Sequence, residues 1–126
     1  MKRKSSGTKL SVCHLIDDLS HGGAQVLLAD IIEHSSASVD PTVCYIGKRS
    51  QLHGRVEAVG ADVYSLDGQF RFDPRPVDRL WRFFRDRSFD ILHTHLVYAQ
   101  LMGRIVGRAA GIKNIISTYH AVPGSY

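Results

Sequence analysis

The stretch "KLSVCHLIDDLSHGGAQVLLADII" (residues 9–32) decides the fold. Residues 9–16 form an apolar, β-prone run that reads as a buried strand. Ala24, Leu27, Leu28 and Ile31 then recur at helical spacing across 24–34. Between the two lie the acidic pair Asp17-Asp18 and two adjacent glycines, Gly22 and Gly23. A strand feeding through a glycine turn into a helix is the opening half of a βαβ unit.

Working outward, the alternation repeats. Strands are predicted at 41–47, 61–66, 89–96 and 114–120, with helices at 51–60, 74–87 and 98–111. Gly60 closes the second helix. Val77, Leu80, Trp81 and Phe84 give the third its apolar face, and the fourth is rich in small residues, able to lie close to a sheet. Five strands separated by helices predict an α/β, Rossmann-like domain. Its doubly wound parallel sheet is expected in order 3-2-1-4-5. The ligand crevice then lies beyond the C-terminal ends of strands 1 and 4, where the winding reverses. After strand 5 the chain ends in "AVPGSY", with no helix to cover that strand, so the domain over 9–126 is expected to be incomplete at its C-terminus.

Composition narrows the classes. Hydrophobic residues at 44% and charged residues at 22% suit one soluble globular domain, and no run approaches the roughly 18 apolar residues of a membrane span. The net charge of +4 is a tail effect: Lys2, Arg3, Lys4 and Lys9 sit at the start, and the other 12 Lys and Arg balance 12 Asp and Glu. Residues 1–8 read as a disordered basic tail without the apolar core of a signal peptide, and nothing argues for nucleic-acid binding. Cys13 and Cys44, in apolar strands without partner spacing, read as buried free thiols of a reducing cytoplasm.

Several residues fall at the predicted crevice. The glycine turn puts a helix N-terminus, with its unpaired N–H groups and positive dipole end, where phosphate could meet bare backbone. It is neither a Walker loop nor G-x-G-x-x-G, so a plain turn and a phosphate cradle both stay open. Strand 4 ends in His93-Thr94-His95. His93 is expected within the sheet and His95 facing the crevice, and the pair lacks a third ligand of convincing spacing for a metal. Strand 5 ends in Thr118-Tyr119-His120, a further imidazole at a neighbouring strand end. His14 reads as a satisfied core histidine, and His34 and His53 as helix-surface residues. On the third helix Arg75, Arg79 and Arg82 share a solvated face, with Asp86 placed to pair with Arg82; anionic lipid is the minor alternative. The loop "DGQFRFD" (67–73) offers aromatics and Arg71 either to a ligand or as a cover for the sheet.

Taken together, "HLIDDLSHGGAQVLLADI", "FDILHTHL" and "IISTYHAVP" resemble the N-terminal domain of GT-B-fold glycosyltransferases, closest to the retaining family 4. The resemblance runs from about Lys9 to the last residue. It implies an acceptor-side domain that works across a cleft from a domain holding the nucleotide sugar. By that resemblance Gly22, Gly23 and Ala24 approach the donor diphosphate, and His120 lies beside the transferring sugar as the catalytic position. His95, Thr118 and Arg71 border the acceptor. No metal and no cofactor are implied beyond the nucleotide sugar as co-substrate. The partners implied are that donor, a sugar or lipid-linked acceptor, and a donor-domain chain in trans. The location implied is cytoplasmic, with contact at the inner membrane face as an option. The family's E-x7-E donor half has no counterpart in this sequence, so the chain alone is expected not to transfer sugar. A stand-alone nucleotide- or phosphate-binding or regulatory module is the alternative.

Overall fold

The computed structural model describes residues 9–118. The tail expected over 1–8, and His120 with the rest of 119–126, lie outside the described residues. The elements run β1 (Leu10–Ile16), α1 (Gly23–Glu33), β2 (Val39–Tyr45), α2 (His53–Ala58), β3 (Asp62–Ser65), α3 (Arg75–Asp86), β4 (Ile91–His95), α4 (Val97–Ala109) and β5 (Ile115–Thr118). All adjacent strands pair in parallel, in the order β3-β2-β1-β4-β5. The predicted doubly wound topology therefore stands. β1 is central, and every residue after Leu10 in it is buried, which explains its unbroken apolar run.

The strand alternation divides two cores. On one face Ile16, Val43 and Tyr45 pack with Leu28, Ala29 and Ile32 of α1 and Val56 of α2. On the other, Cys13, Leu15, Cys44 and Leu92 pack with Leu80 and Phe84 of α3 and Ala99, Met102 and Val106 of α4. Both cysteines are free and fully buried, as expected.

Two helix faces differ from the sequence reading. In α1 the buried set is Ala24, Gln25, Leu28, Ala29 and Ile32, whereas Leu27 and Ile31 are 45% and 39% exposed. The segment is apolar nearly all round, so its spacing alone does not say which stripe meets the sheet. In α3 the core takes Pro76, Leu80 and Phe84, while Val77 is exposed and Trp81 half-buried under the Arg85 guanidinium. Proline is tolerated there because the first helical turn has no intrahelical use for its missing N–H.

The small residues of α4 have a measurable purpose. A Cβ on Gly103 would lie 2.5 Å from Thr94 Cγ2, and one on Gly107 would lie 2.8 Å from Leu92 Cδ2. The helix therefore rests on β4 at backbone distance. At its far end Gly111 adopts φ +89°, a conformation natural to glycine, and turns the chain into β5. Among the described residues no helix is long and apolar enough to cross a membrane.

Candidate functional site

β1 ends by delivering two carboxylates with different duties. Asp17 accepts from the backbone N–H of Ala99 at 2.6 Å and of Tyr98 at 3.4 Å. It thereby caps α4, whose own N-cap residue is Leu96, held at φ +75° and without a side-chain acceptor. Burial pushes the Asp17 carboxyl up from its ordinary pKa, against the pull of those two N–H groups. Asp18 instead organises the next turn. Its Oδ1 accepts from Ser20 N at 3.0 Å, Ser20 Oγ at 2.7 Å and Gln25 Nε2 at 2.9 Å.

That turn leads to Gly22 and Gly23. Gly22 has φ −83° and ψ 164°, extended backbone that any residue adopts. A Cβ on Gly22 would strike Gln25 Oε1 at 2.2 Å, the far end of a flexible side chain. A Cβ on Gly23 would meet nothing within 4 Å. Backbone strain does not explain the pair; Gly22 leaves room for the buried Gln25 side chain that bonds Asp18, whereas Gly23 has no packing reason. What the glycines create is a bare start to α1, with no side-chain cap.

The loops after β1, β2 and β3, together with Tyr98 at the start of α4, line an open cavity of about 630 Å³. Its chemistry comes from Asp17, Asp18, Lys48, Arg49, Arg71 and Tyr98. Backbone bonds lace the loops: Gly47 N donates to Asp17 O at 2.8 Å, and Leu19 N to Arg49 O at 2.9 Å. Gly68 fits under the rim because a Cβ there would sit 2.6 Å from Ile46 O.

The loop over 67–73 forms one wall and is pinned at both ends. Asp73 is buried and accepts from Gln69 N at 3.0 Å, Arg75 N at 3.0 Å and Arg75 Nη2 at 2.8 Å. The Arg75 guanidinium holds its carboxyl well below the usual carboxylate range. Arg79 donates to the carbonyls of Leu66 and Asp67 at 2.6 and 3.1 Å. Arg82 pairs with Asp78, not with Asp86 as the spacing suggested; both partners lie four residues away, and the structure selects the N-terminal one. Arg75 and Arg79 thus serve the loop instead of forming a plain solvated face. Between the pinned ends Phe70 and Phe72 stay 63% and 71% exposed. Phe72 has φ +64°, stacks under Arg71 and meets Tyr98 edge-on at 6.2 Å.

The histidines gather elsewhere. His14, on β1, pairs in register with His93, and His95 follows two residues on along β4. His14 Nδ1 lies 3.0 Å from His95 Nε2, and His93 Nε2 is hydrogen-bonded to Thr118 Oγ1. Burial, reinforced by His93, pushes His14 down to about 3, so its ring is neutral. His14 is the satisfied core histidine that was expected. His95 departs from expectation: it is fully buried and does not face the open crevice, because β1, β4 and β5 enclose the strand end. His34 is exposed on its helix, whereas His53 is drawn to the Tyr45 hydroxyl at 2.8 Å.

The structure therefore separates the predicted residues into three places: Gly22, Gly23 and Ala24 at the bare helix start, Arg71 at the cavity, and His95 and Thr118 in the buried cluster. Lys48, Arg49 and Tyr98 escaped the sequence reading. Their signal was positional, since each lies within about four residues after a strand that ends at the crevice.

An open, doubly wound sheet with its cavity at the C-terminal strand ends defines an α/β, Rossmann-like domain. The chain belongs to glycosyltransferase family 4, whose model matches residues 21–125. No curated protein matches it. Among solved structures, two crystal structures of the C-terminal domain of a hydrogenase from Pyrococcus furiosus are similar, with TM-scores of 0.62 and 0.57. Their identities are 12% and 13%, and each comparison covers 94% of this chain and 98% of that one. At such identity the likeness concerns the fold alone.

Proposed function

We propose that this domain is the acceptor side of a retaining, GT-B-type glycosyltransferase that moves a sugar from a nucleotide sugar to a sugar or lipid-linked acceptor. The observation that supports this most is the uncapped start of α1 at Gly22–Gly23, reached from Asp17 and Asp18, which line a cavity of about 630 Å³. In this reading the free N–H groups of Gly23 and Ala24 receive the donor diphosphate and stabilise the charge that develops as its bond to the sugar breaks. The backbone and the helix dipole carry that charge, with no metal and no cofactor beyond the co-substrate. In this reading Arg71, which lines the cavity, borders the acceptor, while His95 and Thr118, assigned to the same side by the resemblance, lie apart from it at the histidine cluster. His120 stands beside the transferring sugar.

The cavity suits a polyhydroxylated acceptor. Carboxylates, basic side chains and the rings of Phe70 and Tyr98 line it, which provides acceptors and donors for hydroxyls and rings for sugar faces. Transfer requires a donor-binding domain, either on the same polypeptide or in trans, and takes place on the cytoplasmic side, at the inner membrane face for a lipid-linked acceptor. Titration with UDP and with GDP, followed by backbone amide NMR, tests the reading. The expected result is a saturable shift at Gly22–Ala24. A response confined to other residues removes the diphosphate assignment. Binding that persists unchanged, with no transfer after a donor domain is supplied, favours a stand-alone nucleotide-binding module.

A further inference from the structure

We propose that His14, His93 and His95 form a binding site for one transition-metal ion of the zinc and copper class. The proposal stands apart from the glycosyl-transfer reading and does not depend on it. Three side chains of one chemical kind converge from two strands. His14 and His93 are register partners, and His95, two residues further along β4, points to the same face. The ligating nitrogens all lie within 4.8 Å of one another, with His14 Nδ1 and His95 Nε2 at 3.0 Å. The rings of His93 and His95 stack at 4.1 Å, and His14 stands 5.3 Å from each.

Four-coordinate zinc with nitrogens at roughly 2.0–2.1 Å needs those nitrogens about 3.3 Å apart. One pair is already close to that spacing, and the third ligating nitrogen lies within 4.8 Å of both. Parallel pairing at the centre of the sheet fixes the three Cα positions, so the scaffold is set before any ion arrives. The donor set also speaks to the ion. Among the described residues it contains imidazoles only, since Cys13 faces the opposite core, and no carboxylate of those residues belongs to the cluster. Imidazole without carboxylate favours zinc, copper, nickel or cobalt over magnesium or calcium. Three protein ligands leave a fourth position for water. None of the three histidines lines the cavity at Asp17 and Tyr98, so the two sites are separate.

The test uses the untagged, metal-free full chain and cobalt(II) as the probe. The expected result is the visible absorption of four-coordinate cobalt, saturating at one equivalent and displaced by zinc(II). His93→Gln and His95→Gln should each weaken zinc binding by about 100-fold or more. His53→Gln, outside the trio, should leave it within about twofold. Should a substitution in the trio unfold the domain, ring-nitrogen NMR of the unmodified chain decides. Zinc should then move the resonances of His14, His93 and His95 among the seven histidines. Absence of one-equivalent uptake, or a response from other histidines only, overturns the site.

Discussion

Two helices begin at the crevice, and they are finished in opposite ways. α4 starts without a capping side chain of its own and receives the Asp17 carboxylate from β1, more than eighty residues away in sequence. α1 starts at Gly23 with no side-chain cap and open space where a Cβ would stand. Both ends carry the same dipole and the same surplus of N–H groups. One has been closed by the protein's own anion, and the other stays available. A helix N-terminus becomes a binding element through what is withheld from it.

This contrast can be broken at several points. The largest effect is expected where α4 seats on the sheet: Gly103→Val should cost ~3 kcal/mol, since even its Cβ meets Thr94 Cγ2 at 2.5 Å. Chemical denaturation measures it. Next, Asp17→Ala removes the borrowed cap and should cost about 2 kcal/mol by the same assay, with Asp17→Asn milder. A cap lost at no cost in stability would mean that the two helix ends are not different after all.

On α1 the expected outcome reverses. Gly23→Ala should leave stability unchanged or raise it by no more than about 0.5 kcal/mol, because the new methyl meets nothing. Under the proposed function the same change should weaken nucleoside diphosphate binding about tenfold, read by calorimetry. Equal affinity in the variant would separate the bare helix start from phosphate.

The smallest effect is a difference in pH response between the two carboxylates that receive backbone N–H groups. The folded-state pKa of Asp17 is raised by burial, so the proton-linked part of its contribution, separate from the cap itself, is fully present below the ordinary carboxylate value near 3.8 and is lost as pH rises through the raised value. That of Asp73 is lowered by Arg75, so its contribution is present above 3.8 and lost as pH falls toward the lowered value. Melting temperatures between pH 6 and pH 2.5 should therefore change slope in opposite directions for Asp17→Asn and Asp73→Asn. Parallel shifts would show that burial and ion pairing are not what distinguishes them.

What the sequence disclosed follows the range of the interactions involved. Strand–helix alternation, the strand order and the close-lying α4 were all legible because period and small-residue content are local properties. The glycine turn was legible as a helix start for the same reason. The same-face relation of His93 and His95 was legible, since it needs only the two-residue repeat of a strand. That His14 completes a trio was not: it depends on the register between β1 and β4, which no local pattern encodes. The Asp17 cap was hidden likewise, because its partners lie at the other end of a strand crossing. The buried stripe of α1 was half placed: Ala24 and Leu28 are buried as read, while Leu27 and Ile31 give way to Gln25, Ala29 and Ile32, since apolar residues on several sides leave the choice to tertiary contact.

The wall over 67–73 is fixed at both ends by Asp73, Arg75 and Arg79, while Phe70, Arg71 and Phe72 between them remain exposed. Stability and recognition are thus written in different letters of one short word. Under the acceptor reading, a lineage can exchange the three central residues and alter its choice of acceptor while leaving the anchoring residues untouched. Diversification of this kind proceeds by small substitutions and has no need of a new fold.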